Sequence, residues 1–180
     1  SQGISGDYNQ VVVEQWNNVT STDSNKIYID VAGDSNGIDV GQGCKFLYSW
    51  STTCSRDTYE EAGHTMEINV TGDYNSIRGG QKAGTASPDH NLVMDIDSDN
   101  NSVFFTQAGS GPKDLDLTIK NSGNAVSIHQ LYGTHTATIE LDGTSGTALD
   151  LIQTGSGTQT YTLMQNCLTI GGCSVSVVQQ

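Results

Sequence analysis

The side chains able to support covalent or metal chemistry in this chain are its 4 cysteines, 4 histidines and 20 acidic residues. The cysteines fall in two local pairs, Cys44/Cys54 and Cys167/Cys173. Of the three pairings open to four cysteines, the local one closes two short loops. Each bridge contributes on the order of 2–3 kcal/mol through the entropy it removes from the unfolded chain. Zinc would ask for Cys-x-x-Cys spacing with histidine partners. The gaps here are wider, so no metal is expected. Paired disulfides point to an oxidising compartment: periplasm, cell surface or extracellular space. Because every thiol has a local partner, no Cys/His nucleophile is left. Neither His-Glu-x-x-His nor a phosphate loop occurs, so no enzyme activity and no cofactor are expected.

Amides form the most regular pattern. Segments 6–15, 33–42 and 72–81 align, and one Asn-to-Gln spacing recurs at Asn9/Gln15, Asn36/Gln42, Asn75/Gln81, Asn101/Gln107 and Asn124/Gln130. It continues with the first position changed at Thr147/Gln153 and Cys173/Gln179. A buried amide is costly unless its donors and acceptors are met. In stacked, identical rungs each amide bonds to its copy above and below, which tolerates burial and penalises slippage. A second polar column reads Asn25, His64, His90, Lys113, His135 and Gln159. Strand-end hydrogen bonding is the expected role there, with metal binding or a pH switch at His64/His90 as the alternative. Asp7, Asp34 and Asp73 recur in turn positions. They are expected to close Asx-turns on their own backbone, with calcium the alternative for them and for the later cluster Asp97, Asp99, Asp114 and Asp116.

Between each Asn and Gln the residues alternate, as in Val11/Val13, Ile38/Val40, Val103/Phe105, Val126/Ile128, Leu149/Leu151 and Val175/Val177. The third repeat departs, with Ile77 followed by Gly79. Period-two alternation marks a strand with one buried face. A leading strand precedes each trailing one, with inward Ile27-Ile29-Val31, Met66-Ile68-Val70, Leu92-Met94-Ile96, Leu115-Leu117-Ile119 and Ala137-Ile139-Leu141 at alternate positions. Both strands aim apolar residues at one another, so each unit is a β-arch. The expected fold is all-β: a β-solenoid of about seven strand-turn-strand repeats forming two facing parallel sheets. One domain spans 1–180, with repeats at 1–15, 25–42, 64–81, 90–107, 113–130, 135–153 and 159–179 and an insertion at 43–63.

Only 34% of residues are apolar. That fits either disorder or a thin core with half of each strand in water, and the alternation decides for the core. A net charge of −13 argues against nucleic acid, which demands a basic stripe. No apolar run approaches the roughly 20 residues that span a bilayer. The opening Ser1-Gln2-Gly3 lies within the pattern and reads as a mature form with any targeting segment removed.

The repeat resembles the curlin repeat of bacterial curli fibres, Ser-x5-Gln-x4-Asn-x5-Gln. Asn25-x5-Val31-x4-Asn36-x5-Gln42 and His64-x5-Val70-x4-Asn75-x5-Gln81 keep that spacing. The trailing pair is retained, while Ile4, Val31, Val70, Ile96 and Ile119 replace the leading Gln. The similarity covers the chain apart from 43–63 and 82–89. It implies a secreted, extracellular subunit that polymerises rung on rung, through its open ends, into an adhesive, biofilm-associated fibre. Its partners would be further copies of itself and other fibre subunits. Curlins are close to regular and usually free of cysteine, so this chain is read as a divergent member. The alternative is a monomeric adhesin that binds surface glycans through the aromatic insertion, with Phe46, Tyr48, Trp50 and Tyr59 pinned by Cys44 and Cys54.

Overall fold

The computed structural model describes residues 2–15, 24–43, 63–83 and 90–180. Among these there is no helix. The strands are β1 (Gln2–Ser5), β2 (Gln10–Gln15), β3 (Lys26–Ala32), β4 (Gly37–Gln42), β5 (Thr65–Thr71), β6 (Ser76–Ala83), β7 (Ser102–Gly109), β8 (Ala125–Ile139), β9 (Thr147–Leu163) and β10 (Cys173–Gln179). They form a 7-stranded sheet in the order β10-β9-β8-β7-β6-β4-β2 and a 3-stranded sheet in the order β1-β3-β5. Every pairing is parallel. The chain is a β-solenoid, as the alternation predicts.

The trailing strands stack in the register of the sequence alignment. Ile38 pairs with Val11 and Ile77, Val103 with Ile77 and Val126, and Leu149 with Val126 and Val175. Their side chains meet Ile29, Val31, Met66, Ile68 and Val70 from the leading side in one continuous core. Each such side chain contributes about 1.5–3 kcal/mol when fully buried. Gly79, the odd member of the trailing row, is explained by its neighbour. A Cβ there would stand 2.6 Å from Cδ1 of Phe105, and Phe105 heads the largest fully buried side chains. The ring takes the volume that Gly79 leaves, so the pair keeps the core filled.

The leading side is less regular than its side-chain pattern predicts. Leu92, Met94, Ile96, Leu115, Leu117 and Ile119 are all buried, but their segments are not strands apart from a single bridge, Asn91 to Thr65. Asp95, Ile96, Asp97, Asp114, Asp116 and Leu117 take φ of 99, 104, 48, 34, 134 and 151°. Such conformations cost of order 1–3 kcal/mol each for an L-residue and persist only when the surroundings over-determine them. Here the buried side chains do so. Four of the six are Asp, which tolerates positive φ better than most residues.

Beyond these rungs the link is no loop at all. β8 and β9 each run through a corner and continue as the next leading strand, with an irregularity between Tyr132 and Thr134. Gly133 makes that corner possible, since a Cβ would lie 2.2 Å from the Gly157 carbonyl oxygen.

Candidate functional site: amide ladders and sheet edges

The glutamines at the end of each trailing strand form one unbroken column. Nε2 of Gln15, Gln42, Gln81, Gln107, Gln130 and Gln153 donates to Oε1 of the next, at 2.9, 2.8, 2.7, 2.8, 2.8 and 2.7 Å, ending at Gln179. The spare N–H fixes which way each amide points. Gln42, Gln81 and Gln107 donate it to the leading-side carbonyls of Lys26, Thr65 and Asn91 at 3.0, 3.1 and 3.1 Å. The ladder thus also ties the two sides of the solenoid together.

The asparagine column has the opposite polarity. Oδ1 of Asn9, Asn36, Asn75 and Asn101 accepts both the backbone N–H and Nδ2 of the next Asn, each backbone bond being 2.9 Å. Asn124 Oδ1 accepts the Thr147 N–H at 2.8 Å, and there the column stops. The Thr147 hydroxyl is buried with no partner among the described residues. The amides from Asn36 to Asn124 and from Gln42 to Gln153 are buried, whereas Asn9, Gln15 and Gln179 in the outermost strands are not. The turn aspartates differ from expectation: they bond between rungs rather than to their own turns. Oδ1 of Asp34, Asp73 and Asp99 accepts the N–H of Asp7, Asp34 and Asp73 at 2.7, 2.7 and 2.8 Å.

These ladders leave the outer strands chemically distinct. β2 and β10 border the large sheet, each with a neighbour on one side only among the described residues. At the β2 border, Gln15 donates to Gln42 and presents its acceptor oxygen. At the β10 border, Gln179 accepts from Gln153 and donates to the Thr160 carbonyl at 3.3 Å, with a second N–H to spare. One border offers an acceptor and the other a donor.

The second polar column is buried at Asn25, His64, His90, Lys113 and His135. The His64 and His90 rings stack with centroids 4.7 Å apart. His90 Nε2 meets the Lys82 carbonyl at 3.1 Å and His135 Nε2 the Leu131 carbonyl at 2.9 Å, while neither His64 nitrogen has a partner among the described residues. Burial pushes His64 down to about 4. Burial, then the neighbouring His64 and Lys113, push His90 down to about 3. Lys113 Nζ donates to the carbonyls of Ser110, Gly111 and Tyr132 at 2.9, 3.1 and 3.0 Å, and to that of Gly133. Burial lowers its pKa to about 8, and the four carbonyls oppose that shift by favouring the charged form. Neutral imidazoles therefore lie beside one caged ammonium. This cage, at the β8 corner, carries no sequence signal beyond a lysine in a column of amides and imidazoles.

Cys167 and Cys173 form a disulfide. Cys44, Cys54, Phe46, Tyr48, Trp50 and Tyr59 lie outside the described residues. No group of three or more His, Cys, Asp or Glu converges to hold a metal ion among the described residues. Residues 33–37 read Gly-Asp-Ser-Asn-Gly, the string of a hydrolase nucleophile elbow. They join strand to strand rather than strand to helix, and the Ser35 N–H donates to the Asp7 carbonyl of the neighbouring turn at 2.8 Å. A groove of about 540 Å³ crosses β1, β3 and β5 and contains one carboxylate, that of Asp30. Comparison with known protein families, curated proteins and solved structures finds no match to this chain.

Proposed function

We propose that this chain is a secreted structural subunit that stacks head to tail, β10 of one copy against β2 of the next, into a curli-like extracellular fibre. The observation that carries the reading is the single-direction glutamine column. A donor at Gln179 and an acceptor at Gln15 are complementary, so a second copy extends the ladder without a change of polarity. A patch that fits a different patch on its own kind makes a heterologous contact, which propagates as a filament when it does not close. Bordering strands with unpaired backbone groups supply the rest of the template. Apolar residues join them: Ile4 and Val12 are 49% and 37% exposed on one side, and Val178 is 56% exposed on the other.

Charge opposes this step. Each copy carries −13, and repulsion between like-charged bodies is screened within about 8 Å at physiological ionic strength. The purified chain is therefore expected to form thioflavin-positive filaments, faster as salt rises from 10 to 150 mM. A chain that stays monomeric for weeks at both salt concentrations contradicts the proposal.

A further inference from the structure

The last turn of the solenoid is built unlike the others. The first turns occupy 6–9, 33–36 and 72–75, whereas residues 164–172 separate β9 from β10. Within this longer turn Cys167 is fully buried. Its carbonyl accepts the N–H groups of Thr144 and Ser145, each at 3.0 Å, and its own N–H reaches the Asp142 carbonyl at 3.3 Å. Cys167 is thereby fastened to the turn beneath. Cys173 pairs with Thr147 in the register place that asparagine fills on earlier rungs. No side-chain oxygen receives the Cys173 N–H, which goes to the Gly146 carbonyl at 3.1 Å. Where the asparagine column fails, a covalent bond to an anchored residue takes its place. Among the described residues β10 borders β9 alone, through the Cys173–Gln179 register and the Gln153–Gln179 bond, and its inward Val175 and Val177 are only half-buried.

We propose that the Cys167–Cys173 disulfide is a redox gate on the β10 border. Oxidised, it seats β10 in register and so presents the Gln179 end of the ladder. Reduced, β10 detaches from β9. The consequence for assembly rests on the fibre reading above, because β10 is the strand that a second copy would meet. The reductant is a dithiol. Its thiolate attacks the half-buried Cys173 sulfur, the S–S bond breaks, and Cys167 leaves as a thiolate that takes up a proton. The second thiol of the reagent then displaces Cys173 from the mixed disulfide. Two electrons and two protons end on the two cysteines, and the reagent becomes a disulfide.

The test uses the full chain with Cys44→Ser and Cys54→Ser, so that one disulfide responds. Hydrogen exchange of the β10 amides is measured with and without dithiothreitol, alongside the elongation rate of seeded filaments. Reduction is expected to lower β10 protection at least tenfold, leave β7 unchanged and slow elongation at least tenfold. Adding Cys167→Ser, Thr147→Asn and Cys173→Asn extends the amide column to the last rung, and that variant should be indifferent to the reductant. Unchanged β10 protection on reduction overturns the gate, whether or not filaments grow. Redox-dependent protection in a chain that never forms filaments upholds the gate and removes the fibre reading instead.

Discussion

The two sides of this solenoid carry equally regular side-chain alternation and yet differ in backbone order. On the trailing side all 7 strands pair in one parallel sheet. On the leading side regular pairing covers β1, β3 and β5, breaks down across 92–97 and 113–120, and returns only where β8 and β9 turn the corner. Burial does not separate them, since Met94 and Leu117 are as buried as Ile128 and Leu151. What separates them is the polar column at the strand end. The trailing side ends in glutamines that bond rung to rung. The leading side carries a mixed column of Asn25, His64, His90, Lys113 and His135, in which the His64 and His90 rings stack but no unbroken side-chain ladder runs from rung to rung among the described residues. Hydrophobic burial selects which face points inward, and the amide ladder holds the backbone in register.

The largest effect should come from the core both sides share. Phe105→Ala removes the ring that fills the space beside Gly79 and should cost about 3–5 kcal/mol, read as a lower urea midpoint. A loss below 1 kcal/mol would mean that the two positions do not compensate.

Acid should strike the leading side next. The folded-state pKa values of His64 and His90 are depressed to about 4 and about 3 from 6.5. Between those values and 6.5 the unfolded chain binds more protons than the folded one, so stability is full above 6.5 and falls as pH drops. His64 alone should cost about 3 kcal/mol by pH 4. Because amides already occupy this column at Asn25 and Gln159, His64→Asn with His90→Asn should flatten the profile between pH 6.5 and 4. Identical profiles for variant and parent would refute the assignment.

Cutting the ladder tests the comparison on the trailing side. Gln81→Leu orphans the N–H of Gln42 and the Oε1 of Gln107, at about 2–3 kcal/mol in total. Exchange protection should fall in β4 and β7 more than in β5. Equal loss on both sides would mean that the ladder is not what orders the large sheet.

The smallest effect makes the finest distinction. Asp150→Gly, within β9, should destabilise by about 0.5–1 kcal/mol through backbone entropy. Asp116→Gly, at φ 134°, relieves strain and should be neutral or stabilising by up to about 1 kcal/mol. Equal losses in thermal melts would show that the leading segment stores no strain.

The sequence made the trailing side legible because one repeat there dictates three things at once: inward residues, turn and amide position. Register could be read from Asn9/Gln15 through Cys173/Gln179 without a structure. The inward residues of the leading side were legible too, because alternation reports side-chain direction. It is silent on whether N–H and C=O groups pair across rungs, so the positive φ values at Ile96 and Leu117 left no trace. The Gly79–Phe105 compensation depends on residues one rung apart and becomes visible only once register is known. Of the candidate site, the glutamine column was foreseen. Its polarity was not, because the leading-side carbonyls that orient each amide come from strands sixteen positions earlier, as with Gln42 and Lys26.

The central claim is that the glutamine ladder continues from one copy into the next. Electron cryo-microscopy of filaments grown from the purified chain examines the joint itself. The account predicts β10 of one copy beside β2 of its neighbour at about 4.8 Å, parallel, with Gln179 donating to Gln15. Filaments whose copies meet through any other surface, or a preparation holding only single solenoids, would contradict it.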